Sequence, residues 1–152
     1  MTRNPVLALT LVLVATAITR TAPAPAAPPT PPSLPLSFVA DLPLPGSPSR
    51  FDYQWIDTTH RRLFIAHLGD SSLLVFDLDG QRVIHEVPHL PSIHGVVAAP
   101  AQHLVLATAT AEKTLALIDD RTLQVKSRVS AGEYPNGLAF DPSSEKVFVS
   151  NN

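Results

Sequence analysis

Asn136-Gly137-Leu138-Ala139-Phe140-Asp141-Pro142, followed after a short turn by Lys146-Val147-Phe148-Val149-Ser150-Asn151, reads as two short strands joined by an Asp-Pro turn. Val147, Phe148 and Val149 make the second run β-branched and aromatic, Leu138 and Phe140 give the first its apolar character, and turn formers separate them. Moving back 42 residues from Asn136 reaches His94, and a further 42 reaches Asp52. Each stands in a matching triplet: Phe51-Asp52-Tyr53, Ile93-His94-Gly95 and Pro135-Asn136-Gly137. The same offset pairs Val75 with Leu117, Asp77 with Asp119, Val83 with Val125 and Val87 with Val129. Arg62–His67 matches Lys146–Asn151 at twice the offset, whereas His103–Thr108 reads as one residue early, through a deletion in the turn before it. A fixed period of this length marks stacked supersecondary units.

Four strands are expected in each unit. The first are Phe51–Ile56, His94–Ala99 and Asn136–Asp141, and the second are Arg62–His67, His103–Ala109 and Lys146–Asn151. Third strands fall at Ser72–Asp77 and Thr114–Asp119, and fourth strands at Gln81–Val87 and Leu123–Ser130. No window carries helical amphipathicity. Four strands in a unit of roughly 40 residues is the arithmetic of a β-propeller blade. The expected fold is therefore all-β: a β-propeller of four-stranded antiparallel blades, with repeats at 52–93 and 94–135 and an incomplete one at 136–152. That makes about two and a half blades, with the edge of Lys146–Asn151 left unpaired.

The Asn136–Pro142 and Lys146–Asn151 runs, with Leu115–Asp119 and Val125–Val129, resemble the YVTN repeat of the YncE-like family of exported β-propellers. The resemblance covers residues 50–152 and departs at Ala99-Pro100, where an Asp-Pro turn is usual. It implies a ring of about seven blades, of which this chain would be an N-terminal fragment. It speaks to fold far more than to chemistry, because propellers host many activities. Related families include lactonase-like metal-dependent hydrolases, and the resemblance also allows binding of single-stranded nucleic acid.

Ahead of the repeats, the uninterrupted apolar or small stretch Val6–Ile18, broken only by Thr10 and Thr16, follows a short start carrying Arg3. Thirteen helical residues rise about 20 Å, too short for a ~30 Å hydrocarbon core but right for a secretory signal. With small residues at Ala24-Pro25-Ala26, residues 1–26 are read as a signal peptide, with the alternative of an uncleaved anchor. Eleven of the 16 prolines lie at or before Pro48, so 27–49 is read as a Pro-rich linker, with a candidate strand at 36–44. Periplasmic or extracellular localisation follows, with no membrane span once the signal is removed. The 152-residue chain has no cysteine, which excludes disulfides and Cys-ligated zinc. A net charge of −2 without a basic run offers no footprint for duplex nucleic acid.

Asp52, His94 and Asn136 share one repeat position at the start of the innermost strand, so their side chains are expected to converge on the channel mouth. Oxygen and nitrogen donors there suit a divalent cation or an anionic ligand. The competing reading is that each bonds local backbone and orders the crossover between blades. Gly95 and Gly137 beside them suit close backbone approach, and Asp77, Asp119 and Asp141 read as turn-stabilising residues. His67 aligns with Asn151 and is read as facing a loop surface, a weaker ligand candidate. His85-Glu86-Val87-Pro88-His89 matches H-E-x-x-H by letters only, because that motif needs a helix and Pro88 would break one. No certain cofactor is expected. The favoured reading is an exported, non-enzymatic scaffold for a ligand or protein partner of unknown identity. The lactonase-like hydrolase and the single-stranded nucleic-acid binder stand as alternatives. The latter needs stacking aromatics and a positive groove, which a chain with three lysines does not favour.

Overall fold

The computed structural model describes residues 36–152, so the expected signal peptide at 1–26 and residues 27–35 of the linker lie outside the described residues. Ten strands follow in chain order. β1 (Gln54–Asp57), β2 (Arg62–His67), β3 (Ser72–Asp77) and β4 (Arg82–Val87) form one antiparallel meander. β5 (Ile93–Ala99), β6 (Leu104–Ala109), β7 (Thr114–Asp119) and β8 (Val125–Ser130) form a second, and β9 (Pro135–Asp141) with β10 (Lys146–Asn151) a two-stranded third. Among the described residues the helical elements are three-residue 3-10 turns at Leu68–Asp70, Pro100–Gln102 and Thr110–Glu112. Among the described residues no helix is long and apolar enough to cross a membrane. The chain has the β-propeller fold, and β1, β5 and β9 lie side by side as the innermost strands.

The middle copy corrects the expected deletion. β2, β6 and β10 begin at Arg62, Leu104 and Lys146, so all three keep the 42-residue offset and the preceding turns have equal length. His103 is the turn's last residue, and the strand begins after it. The repeat extends to backbone detail. Arg61, His103 and Glu145 share φ near +55°, as do Ser71 with Lys113 and Gln81 with Leu123 at their own equivalent positions. A left-handed residue closes these turns: Ser71, His103 and Lys113 return their N–H groups to Leu68, Pro100 and Thr110. Register shifts also recur, between Val75 and Phe76 and between Leu117 and Ile118.

Strand alternation gives every blade two apolar faces. Phe64, Ala66, Leu73 and Val75 from the first blade meet Val105, Ala107, Ala116 and Ile118 from the second in one buried core. The opposite face of the second blade, Val97, Leu106 and Leu115, packs on Leu138, Phe140 and Val147 of the third. A separate cluster, Ile65, Leu74 and Phe76, occupies the first blade's other face. The candidate strand at 36–44 is not formed. Leu36, Phe38 and Val39 are at least 80% exposed, and Pro43 removes a donor that a ladder would need. His85–Val87 lies on β4, in keeping with a strand at the H-E-x-x-H look-alike.

Candidate functional site

The meander gathers the loops at two ends. The starts of β1, β5 and β9 define one end, and the turns after those strands define the other.

At the first end, His94 is buried and its Nε2 stands 3.8 Å from Asp52 Oδ2. Its Nδ1 lies 2.8 Å from the Ser92 carbonyl and 2.9 Å from Thr110 Oγ1. Thr110 donates its one hydroxyl proton to the Pro135 carbonyl at 2.5 Å. Both neighbours of Nδ1 are therefore acceptors, which fixes the ring proton on Nδ1 and leaves the lone pair of a neutral imidazole on Nε2. That lone pair faces a carboxylate oxygen. Arg50 donates to the same Asp52 oxygen at 3.2 Å from an exposed position, and the Tyr134 ring tilts against His94 at 5.7 Å.

Asn136 joins this cluster through its backbone alone. Its carbonyl accepts from Thr108 Oγ1 at 2.9 Å, while Thr108 Oγ1 accepts from the Gly95 N–H at 2.8 Å. A Cβ on Gly95 would fall 2.4 Å from that carbonyl, so glycine is what lets β5 and β9 approach. Gly137 repeats part of the pattern, donating to Ser150 Oγ at 2.9 Å. The structure thus pairs Asp52 with His94, and no side-chain hydrogen bond ties Asn136 to either.

His67 does not face a loop surface. It is fully buried under Gly46–Arg50, with its ring stacked on Phe51 at 4.1 Å and Nε2 2.9 Å from Ser49 Oγ. Ser49 and Ser47 also bond Asp70, whose carboxyl is held below its ordinary range chiefly by the Ser47 hydroxyl and amide. This clasp pins the chain leading into β1.

At the second end the aspartates close turns. Asp77 accepts from the Asp79 amide; Asp119 accepts from the Arg121 and Thr122 amides and is held at about 2 mainly by them. Asp141 accepts from Ser143 and Ser144, chiefly the Ser144 hydroxyl, and is likewise held at about 2. Asp57, the counterpart of Asp141, accepts from the Thr59 and His60 amides and from His60 Nδ1 at 2.7 Å. Burial opposes its ionisation, but the His60 ring and the two amides outweigh burial and keep its carboxyl low. Sequence reasoning missed what stands beside it: Asp120 is buried with both carboxylate oxygens unpartnered. The available signal was a departure from the repeat, since Asp120 stands where the first copy has Leu78. Among the described residues, no group of three or more His, Asp or Glu could hold a metal ion.

No family model and no curated protein matches the chain. Among solved structures it is similar to hydrazine synthase of Kuenenia stuttgartiensis, a β-propeller-containing protein, with 17% identity and a TM-score of 0.61. That alignment covers 64% of this chain and 28% of the other, so the chain spans under a third of that neighbour's length. At such identity the likeness speaks for the fold alone.

Proposed function

We propose that the chain belongs to an exported β-propeller of the YncE-like YVTN kind, acting as a non-enzymatic scaffold whose ligand binds where Asp52 meets His94. The periodic fold and the apolar Val6–Ile18 leader support this reading. The observation that carries it is the placing of the His94 ring, with Nδ1 against the Ser92 carbonyl and Nε2 turned to Asp52. His94 Nε2 and Asp52 Oδ2 face each other at 3.8 Å in a part-buried setting. Such a pair is satisfied by a proton on Nε2 or by a cation between its members, beside the bond Arg50 already gives to the same Asp52 oxygen. A divalent cation accepts both atom types, and the Nδ1–H contact to the Ser92 carbonyl would orient the imidazole as an outer partner does in metal sites.

Calorimetric titration with Mn²⁺, Ca²⁺ and Zn²⁺ tests the cation. Binding that weakens at least tenfold in both His94→Ala and Asp52→Asn is the expected result. Equal affinity in both variants would leave Asp52 and His94 with a role in ordering the crossover only. Export is read separately, as recovery of the protein outside the cytoplasm with the apolar leader and its retention without it.

A further inference from the structure

We propose a second binding site, at the opposite end of the blades from Asp52 and His94: a cavity lined by Trp55 and Phe140 takes a neutral, flat aromatic molecule with an N–H donor, such as an indole, and Gln102 accepts from it. The cavity measures about 240 Å³. Its walls come from the inner strands, through Trp55 of β1, Val97 of β5 and Phe140 of β9, and from the corners after β5 and β9, through Pro100, Gln102 and Pro142. A closed cavity of about 150 Å³ admits benzene, so this one has room for two fused rings and not for a drug-sized ligand.

The repeat shows that the fold does not require an aromatic at Trp55. The second copy has Val97 at that position, 1% exposed, and the third has Ala139. Trp55 pairs with Phe64 across β1 and β2, which puts it on the face that builds the first seam's core. Even so, it is 40% exposed and keeps ring surface to offer a ligand. Phe140, by contrast, packs in the core of the second seam. An aromatic ligand gains from such rings by stacked or edge-on contact as well as by burial. Pro100 and Pro142 hold one position in successive copies, and their fixed φ stiffens the rim, so little order has to be created on binding.

Gln102 supplies the polar selectivity. Its Nε2 donates to Glu145 Oε1 at 3.2 Å. A carboxylate only accepts, so this bond fixes which end of the amide is nitrogen and leaves Oε1 as the free end. That oxygen is buried and has no hydrogen-bond partner in the protein. A buried acceptor of this kind favours a ligand that brings a donor over one that is wholly apolar. None of the residues lining the cavity is charged, and Glu145 stands beside Gln102. Anionic aromatics are therefore disfavoured.

Trp55 is the chain's only tryptophan, so its ring N–H gives a single NMR signal in the ¹⁵N-labelled protein. Unlabelled indole, 1-methylindole and indole-3-acetate are the probes. Indole should shift the signals of Trp55 and of the Gln102 side-chain amide together. 1-Methylindole, which has no N–H, and the anionic indole-3-acetate should each bind about fivefold more weakly. Gln102→Leu should bind indole and 1-methylindole alike. Trp55→Val installs the second copy's residue and should weaken indole at least tenfold, read at Gln102, whereas Trp55→Phe should stay within about threefold of the parent. Melting of the ligand-free variants separates lost binding from lost folding. The site is overturned by indole that shifts neither signal, by equal affinity of the parent for indole and 1-methylindole, or by unchanged affinity in Trp55→Val.

Discussion

The two inter-blade seams are built by the same repeat but are differently finished. Between the first and second blades, both partners bring four strands, and Phe64, Leu73, Val75 and Val105 are all but inaccessible to solvent. Between the second and third, the third blade brings only β9 and β10. A cleft remains there, lined by Leu115, Leu117, Val129, Phe140, Val147 and Val149. A blade's apolar face is thus buried by its neighbour's outer strands as much as by its own, as expected where stability is shared between adjacent repeats.

The largest effect should separate the seams by core truncation. Phe64→Ala opens a hole in the closed seam and should cost about 3–5 kcal/mol in denaturant unfolding. Phe140→Ala, at the half-open seam where the ring is only partly buried, should cost about half of that or less. Equal losses would show that the cleft is closed in solution by some other contact.

The next test compares glycines at one repeat position. Gly95→Ala drives a methyl to 2.4 Å from the Asn136 carbonyl and should cost about 1–3 kcal/mol. Hydrogen exchange should place the loss in β9 and spare β2 and β3. Gly137→Ala finds nothing nearer than Ser150 Oγ at 3.2 Å, an atom on a movable side chain, and should stay within about 0.5 kcal/mol. A comparable loss in both would mean that the β5–β9 approach is not what glycine provides.

The smallest effect is electrostatic. The Asp141 carboxyl is held at about 2 against an ordinary 3.8. Its stabilising contribution is present above the ordinary value and is lost as pH falls from 3.8 toward about 2. Asp141→Asn should flatten that part of the acid limb in the third hairpin, monitored by the NMR shifts of β9 and β10. The equivalent turn at Ala99 has no carboxyl and should not respond. An acid limb identical in the variant would show that the turn's hydrogen bonds do not depend on charge.

Most of the blade pattern was legible because its signals are local and repeated: Leu73-Leu74-Val75-Phe76 is a short apolar run bounded by turn formers and matched 42 residues on. The misplaced middle copy came from its turn. Ala99-Pro100 lacks the Asp that marks the same corner at Asp57 and Asp141, and His103 was taken as a strand residue. The left-handed corners were hidden for a related reason, since Arg61 and Glu145, equivalent to His103, carry side chains that ordinarily avoid that conformation. Leu36–Leu44 was apolar enough for a strand but pairs with no strand among the described residues. The meeting of Asp52 with His94 was legible from the period. The seam of Asp57 and Asp120 was not, because it joins different turns of different blades, 63 positions apart.

The equal corner lengths before Arg62, Leu104 and Lys146 bear on how a chain of this kind can be rewritten. Side chains alternate with period two, so losing one residue within a strand turns every later residue of that strand to the wrong face. Gaining or losing a whole copy does neither harm. A recombination joining Ile93-His94-Gly95 to Pro135-Asn136-Gly137 would excise 42 residues and hand each remaining strand a neighbour of the same shape. Genetic change can therefore proceed in blade-sized steps, with the triplet at the head of each inner strand as the natural point of exchange.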